Sequence, residues 1–331
     1  MVLHPEFIHT LCSLRRLELG NCRLGQFTPR TAEVLSQVTL LGLTDILAAR
    51  PRKKAGTTWW EGLKYLDCLA QLHIKDQDCA GMPASALDCT GLRGLTLVRS
   101  AADHWPSPSH LVATPNCLGD LQSLQLSELR LEQAMPSQFW HSLGQVTKLV
   151  WSDLQLLSPD APVLRLLAAH QAMPVPAEIS RLQHLQQLCL EYAQLDQVPA
   201  CAQALTNLKR LSLEGNNIQT VPEGHYLLGV EHLSLAANSI QQLPDGLQAC
   251  RSLRTLSLAR NPELQLSVEE VGALVRACPA LERVQVTECN GLLLGHLVEE
   301  QEGHQHATDF WKVQKLYPTL LVWEDERQEW E

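Results

Sequence analysis

Three segments of this chain are near-copies of one another. They read LKRLSLEGNNI at 208–218, VEHLSLAANSI at 230–240 and LRTLSLARNPEL at 253–264, a period of 22 to 23 residues. In each copy two leucines alternate with small or polar residues, which is the two-residue period of a β-strand with one buried face. Because one such strand cannot bury its apolar face alone, the repetition predicts a solenoid in which each strand shares a core with the next.

Polar positions recur after the strands as well. Asn216, Asn238 and Asn261 each follow a strand at the same offset. At this point the chain turns, and its backbone N–H and C=O groups would be buried without partners. An asparagine amide can both donate to and accept from such groups. A structural role therefore follows for these three residues, and Cys22 and Cys289 occupy the equivalent position in other copies.

The pattern L-x-x-L-x-L-x-x-N-x-L resembles the leucine-rich repeat family. The repeat sequence is similar to that of intracellular members of the family. In this chain, short proline-containing repeats are mixed with longer helical ones. The resemblance implies an α/β fold: a right-handed solenoid, or horseshoe, with a parallel β-sheet on its concave side and short helices or turns on its convex side. It also implies that the residues after the strands form an asparagine ladder.

Less regular copies of the repeat lie before and after the three clear ones. They extend the predicted solenoid to about eleven repeats over residues 1–298. An insertion at 49–67 and an irregular segment at 157–184 interrupt the period. The insertion is locally basic and contains Trp59 and Trp60; we interpret it as a solvated loop, with a contact site as the alternative. A helix is predicted over 268–278. Residues 299–331 are acidic and are predicted to cap the last repeat.

Composition limits the partners and the compartment. The net charge of −10 argues against a nucleic-acid partner. The sequence shows neither a membrane-spanning apolar run nor a signal peptide at its start, so a membrane partner is not expected. The 11 cysteines are scattered and odd in number, which favours reduced thiols in a cytoplasmic protein. A repeat begins almost at the first residue, which is compatible with a piece of a longer protein.

No motif for catalysis stands out, and the sequence predicts a protein that is not an enzyme and needs no cofactor. The densest group of histidines and carboxylates lies at 296–306 in a polar connector, so we interpret it as a solvated loop and predict no metal site. The segment GLLLG at 291–295 lacks the lysine and hydroxyl of a phosphate-binding loop. No small-molecule substrate is evident.

The remaining candidates are side chains that flank the buried leucines and are expected to point outward on the concave face. As a set they would form a large polar surface, which repeat proteins use for binding. The centre is predicted at Tyr192, Arg210, Glu214 and His232, because tyrosine and arginine dominate interface energetics. The full predicted set is Lys148, Asp153, Glu191, Tyr192, Arg210, Glu214, His232 and Arg260.

These observations favour a non-catalytic scaffold or adaptor that binds a protein partner on the concave face. The alternative is the substrate-recognition subunit of a ubiquitin-ligase-type or signalling complex, which would need an adaptor-binding helical segment. An enzyme is the least favoured class, because the stretches outside the repeats are too short for a catalytic domain.

Overall fold

The computed structural model divides the chain into two compact units, residues 1–174 and 175–331. The structure describes residues 13–21, 23–24, 29–44, 47–48, 63–75, 91–98, 119–127, 130–131, 137–152, 155–156, 171–172, 174–242, 247, 250–264, 268–286 and 321–323.

The N-terminal unit is built on a parallel sheet whose strand order is β1-β3-β5-β6-β7-β9. Each pairing preserves the register, so that leucines meet leucines across the sheet, as Leu17 meets Leu41 and Leu124 meets Leu149. The strands are β1 (Arg16–Gly20), β2 (Arg23–Leu24), β3 (Leu40–Thr44), β4 (Leu47–Ala48), β5 (Gln71–Lys75), β6 (Gly94–Val98), β7 (Ser123–Ser127), β8 (Arg130–Leu131), β9 (Lys148–Ser152), β10 (Gln155–Leu156) and β11 (Gln171–Ala172).

Short elements follow the main strands of this unit. The two-residue strands β2 and β4 pair in parallel, as do β8 and β10, while β11 pairs antiparallel to β10. The helices are α1 (Pro29–Leu35) and α2 (Ser137–His141), with a 3₁₀ turn at Leu63–Tyr65. In α2, Phe139 and Trp140 are buried and in edge contact, and Trp140 also packs on Trp151 of β9.

The C-terminal unit repeats this plan, and its first four strands start 22 to 23 residues apart. Its parallel sheet has the order β12-β13-β14-β15-β16-β17, again in constant register. The strands are β12 (Gln187–Glu191), β13 (Arg210–Ser212), β14 (His232–Ser234), β15 (Thr255–Ser257), β16 (Arg283–Gln285) and β17 (Leu321–Trp323). The helices are α3 (Ala200–Gln203) and α4 (Val268–Ala277), with 3₁₀ helices at Ala177–Arg181 and His225–Leu227.

Prolines stand at the starts of two short helices of this unit. Pro176 and Pro199 are extended, at φ −65° and −62°, and stand immediately before a 3₁₀ helix and α3 respectively. A proline suits the start of a helix, because the N–H that it lacks would have no helical partner there. Pro222 has a further role, since its carbonyl accepts a hydrogen bond of 2.8 Å from the hydroxyl of buried Tyr226.

The core is a column of leucines on one side of each sheet. Leu188, Leu211, Leu233 and Leu256 meet in successive registers, and each is at most 1% exposed. Because each leucine packs on copies in both neighbouring repeats, truncation of one to alanine costs ~2–5 kcal/mol. The opposite side of each sheet carries the alternate residues and is called the open face below.

The predicted α/β leucine-rich-repeat solenoid is thus confirmed, and the predicted helix at 268–278 is α4. Several other predictions lie largely outside the described residues. The insertion at 49–67 is described only from residue 63, and the irregular segment at 157–184 only at 171–172 and from 174 onward. Of the acidic segment 299–331, only β17 is described.

Candidate interaction face

Asn216 satisfies the backbone where the chain leaves β13. Its Nδ2 donates to the carbonyl oxygens of Leu190 and Leu213, at 2.8 and 2.7 Å. Its Oδ1 accepts from the backbone N–H groups of Ala193 and Leu195, at 3.0 and 3.1 Å. One buried side chain therefore binds the turn of its own repeat to the turn of the preceding one.

The next two asparagines repeat this arrangement. Asn238 donates to the carbonyl of Leu213 at 2.9 Å and accepts from the N–H of Ile218 at 3.0 Å. Asn261 accepts from the N–H of Ile240 at 3.1 Å. All three asparagines are at most 5% exposed, and together they form a continuous hydrogen-bonded ladder.

A row of left-handed residues lies immediately before the ladder. The φ angles are 50° at Tyr192, 69° at Gly215, 51° at Ala237 and 56° at Arg260, and Asn21 of the N-terminal unit has φ 49° at the equivalent position. Only one of the five is glycine, so the others hold a conformation that L-residues adopt at a cost. At Gly215, Ala237 and Arg260 the repeat requires this conformation, because the asparagine that follows each of them must reach into the core.

The middle of the open face in the C-terminal unit is a row of uncharged residues with three serines at its centre, called the hydroxyl row below. The residues Cys189, Ser212, Ser234, Ser257 and Gln285 occupy the same position in successive strands. Ser257 donates to Oε1 of Gln285 at 3.0 Å, whereas the buried hydroxyl of Ser234 has no hydrogen-bond partner. This row was not among the predicted site residues, although its recurrence one place after each second leucine could have revealed it.

Glu191 and Glu214 lie beside this row at the same position in adjacent repeats. Ser212 donates to Oε1 of Glu191 at 2.6 Å. Burial raises the pKa of Glu191; the Ser212 hydrogen bond opposes this effect, and the charge of Glu214 adds to it. The two carboxylates therefore form a like-charged pair on a partly desolvated surface.

Tyr192 lies across the next repeat. A β-carbon built on Gly215 would lie 2.4 Å from the Cδ1 and Cε1 atoms of the Tyr192 ring, so the ring rests on the bare backbone of that glycine. The Tyr192 hydroxyl is 3.4 Å from Oε1 of Glu214. Partial burial, and then the charge of Glu214, raise the pKa of Tyr192, while the positive charge of Arg260 opposes them. The side chain is still 47% exposed.

Arg210 and His232 flank the hydroxyl row on the side where the strands begin. They are aligned in register, and Nδ1 of His232 is 2.6 Å from the hydroxyl of Thr255 in the following strand. Burial lowers the pKa of His232, and the charge of Arg210 lowers it further. Arg210 therefore gives this edge of the face a positive charge. The lowered pKa favours the neutral form of His232.

A separate row of charges precedes the strands and is internally compensated. Lys209 pairs with Glu231 at 3.0 Å, and Arg254 pairs with Glu282 at 2.8 Å. The hydrogen bond and charge of Lys209 lower the pKa of Glu231. Arg254 also approaches Glu231 at 3.9 Å, so positive and negative side chains alternate across four repeats. Sequence reasoning missed this alternation.

The structure brings Glu191, Tyr192, Arg210, Glu214 and His232 onto one region, which we call the β12–β14 face. Arg260 is exposed at the end of a later repeat, and its charge acts on the Tyr192 hydroxyl. Of the other predicted site residues, Lys148 is exposed at the start of β9 in the N-terminal unit. Asp153 and the ladder positions Cys22 and Cys289 lie outside the described residues.

The N-terminal unit has a smaller polar group on its own open face. Glu18 pairs with Arg16 at 2.7 Å, and it also lies over Gly42, where a β-carbon would meet its Cγ at 3.0 Å. Beyond Gly42 in the same register is His73, whose pKa is lowered by burial, with Glu18 opposing that effect. The exposed Arg16–Glu18 pair contributes little to stability.

Two further features concern metals and membranes. Within the described ranges, no three histidine, cysteine or carboxylate side chains come together as a metal-binding group. The cluster at 296–306 lies outside those ranges. No helix in the described part of the chain is both long and apolar enough to traverse a lipid bilayer.

Comparison with known proteins agrees with this architecture. The leucine-rich repeat family model matches residues 206–262, which contain most of the three clear copies. No match was found among curated proteins. This match, the constant register of the parallel strands and the asparagine ladder define the chain as a leucine-rich repeat protein.

Solved structures that match this chain are distant from it in sequence. A leucine-rich repeat protein of Leptospira interrogans has 16% identity and a TM-score of 0.49, covering 96% of this chain and 91% of its own. The plant peptide hormone receptor RGFR1 in complex with RGF2 has 18% identity and a TM-score of 0.48, covering 87% and 46%. An internalin from Listeria monocytogenes has 15% identity and a TM-score of 0.46, covering 86% and 83%.

Proposed function

We propose that this protein is a non-catalytic scaffold or adaptor that binds a protein partner on the β12–β14 face. The observation that carries the proposal is Tyr192, an aromatic side chain that is 47% exposed yet fixed on the backbone of Gly215. A rigid, exposed tyrosine offers contact area with little further loss of conformational freedom on binding. Charged side chains of both signs surround it, which favours a polar protein surface as partner.

Rigidity of the surrounding backbone supports the same role. Each residue of this face is fixed to a sheet in which neighbouring repeats share backbone and asparagine hydrogen bonds. A surface of this kind binds with little rearrangement, and leucine-rich repeat folds suggest protein–protein interaction in general.

The thiols of the C-terminal unit favour a non-catalytic role. Burial raises the pKa of Cys201, of Cys250 to about 12 and of Cys278 to about 11. Since the thiolate is the nucleophilic form, these three groups are poor nucleophiles at neutral pH. Packing inside the repeats explains why these cysteines are present, so no chemical role is needed to explain them.

Affinity capture tests the proposed face. Full-length wild type is compared with the double variant Tyr192→Ala/Arg210→Glu, and bound proteins are quantified by mass spectrometry. The matched control is Leu228→Ala/Arg251→Glu, which makes the same kind of changes at two exposed residues outside the sheet. Loss of about 2 kcal/mol at an interface hot spot weakens binding by more than tenfold.

The expected result is a partner retained by the wild type and the control but depleted by the face variant. Thermal unfolding of all three proteins shows whether each is folded. A partner list that is identical for the folded face variant and the wild type would remove this face as the binding site.

A further inference from the structure

Strand β1 forms the outer edge of the sheet in the N-terminal unit. Among the described residues, its one hydrogen-bonded neighbour is β3. The carbonyl of Arg15 and the N–H of Asn21 both bond to the β3 segment, each at 3.0 Å. Successive residues of a strand in a sheet direct their backbone groups to alternate sides, so the odd-numbered residues face β3. The N–H and C=O groups of Arg16, Glu18 and Gly20 therefore point to the outer edge.

The leucines under this edge are incompletely covered. Leu14, Leu17 and Leu19 are each only partly buried. In β3, by contrast, Leu41 and Leu43 take the positions of Leu17 and Leu19 and are at most 2% exposed. An internal repeat of a solenoid is covered by a neighbour on each side, and the partial exposure shows that the first repeat has less cover. Free backbone groups beside partly exposed leucines form a surface on which another strand can pair.

The charges along this edge are complementary to those of a second copy of the same strand. Arg16 and Glu18 are exposed on the open face and pair with each other at 2.7 Å. Consider a second β1 that runs antiparallel across a two-fold axis at Leu17. Arg16 of each copy is then opposite Glu18 of the other, while the two Leu17 side chains meet on the core side. Two pairs of unlike charge and an apolar contact follow from one axis.

The backbone of β1 is compatible with the same axis. In an antiparallel pair, residues that face the partner strand must be opposite residues that also face it, so Arg16 and Glu18 can be opposite each other. A two-fold axis at Arg16 would oppose two arginines, and one at Glu18 would oppose two glutamates. An axis at Leu19 would place Glu18 opposite Gly20 and leave the charges unpaired. Of these four registers, the one centred on Leu17 is favoured by charge.

We propose that this protein forms a two-fold symmetric homodimer in which β1 pairs antiparallel with β1 of a second copy, centred on Leu17. The sheets of the two N-terminal units then continue into each other, and a two-fold axis closes the edge against further addition. Because the contact is one short strand from each copy, the dimer is expected to be reversible. The inference is independent of the proposed function, since the β12–β14 face belongs to the other unit.

Sedimentation velocity of the whole chain over a range of concentrations tests the dimer, with a reducing agent present to prevent intermolecular disulfides. The wild type should shift from monomer to dimer as its concentration rises. Arg16→Glu and Glu18→Arg each place like charges opposite one another, so each should weaken association by about tenfold or more. The matched control is Lys209→Glu, which reverses one charge of an exposed pair in the other unit and should leave the dimer unchanged. Thermal unfolding shows that each variant is folded.

Charge exchange provides the decisive comparison. An equimolar mixture of the Arg16→Glu and Glu18→Arg variants opposes unlike charges in every pair, so it should dimerise although neither variant does so alone. The double variant Arg16→Glu/Glu18→Arg should dimerise like the wild type. A wild type that stays monomeric at every concentration, or that forms species larger than a dimer, would overturn the proposal. Single variants that associate as the wild type does, or a mixture that stays monomeric, would overturn it as well.

Discussion

The ring of Tyr192 lies against the α-carbon of Gly215, the residue at its own position in the next repeat. Both residues have positive φ, at 50° and 69°. A β-carbon at 215 would come within 2.4 Å of two ring atoms. The missing side chain of Gly215 thus makes room for the Tyr192 ring. The orientation of this tyrosine, the more exposed of the two that the structure describes in this unit, depends on a single glycine.

Gly215→Ala is therefore expected to destabilise the protein and displace the Tyr192 ring. An alanine at φ 69° is strained, which costs ~1–2 kcal/mol per residue before any steric clash is considered. Chemical denaturation measures the free energy of unfolding, and tyrosine ring shifts in NMR report the displacement. Ala237→Gly is the matched control at the same repeat position, φ 51°, and should not destabilise by this mechanism. Equal destabilisation by the two substitutions would contradict the explanation.

Asn238→Ala is expected to cost ~2–4 kcal/mol, because it leaves several buried backbone groups without partners at ~1–3 kcal/mol each. The side chain donates to the carbonyls of Leu213 and Leu235 and accepts from the N–H of Ile218. Urea-induced unfolding gives the difference. The control is Asn207→Ala, since Asn207 is exposed and donates to only one carbonyl, that of Gln183. A loss for Asn238→Ala no larger than that for the control would show that the ladder does not stabilise the fold.

The repeat period was sufficient to predict the strands, the parallel solenoid and helix α4, because buried leucines at a fixed spacing have few alternative arrangements. The left-handed row could not be predicted in this way. Its members in the C-terminal unit are tyrosine, glycine, alanine and arginine, which share no chemical property that marks such a conformation. The backbone of the repeat imposes the positive φ angles. From the sequence, only Gly215 could be recognised as a residue that adopts such an angle easily.

Side-chain partners across strands were also beyond the reach of the sequence. The Ser212–Glu191 hydrogen bond joins residues of two repeats, and its existence depends on the register of β12 and β13. Alternation did predict that Glu191 and Glu214 would lie on the same face. That neither carboxylate has a salt bridge within the described residues, while Glu231 is paired with Lys209, follows only from the three-dimensional arrangement.

His232 is expected to make stability depend on pH. Its pKa is lowered from 6.5 in the folded protein, so the unfolded chain binds the proton more readily. Stability from this residue is then fully present above the unfolded value and is lost as the pH falls through the folded one. Burial is the main cause; Arg210 and Arg254 lower the pKa further, while Glu231 and Glu282 raise it. NMR titration of the imidazole measures the folded value, and an unshifted or raised pKa would refute the prediction.

Glu191 is expected to have the opposite effect on the pH dependence of stability. Its pKa is raised above 4.5 in the folded state, so its favourable contribution is present below that value and is lost as the pH rises through the folded pKa. Glu191→Gln removes the buried charge but keeps an oxygen that can accept the Ser212 hydrogen bond. The variant should therefore be at least as stable as the wild type at pH 7. Denaturant unfolding at pH 4 and pH 7 checks this expectation: a variant less stable than the wild type only at pH 7 would mean that the carboxylate stabilises the fold as an anion.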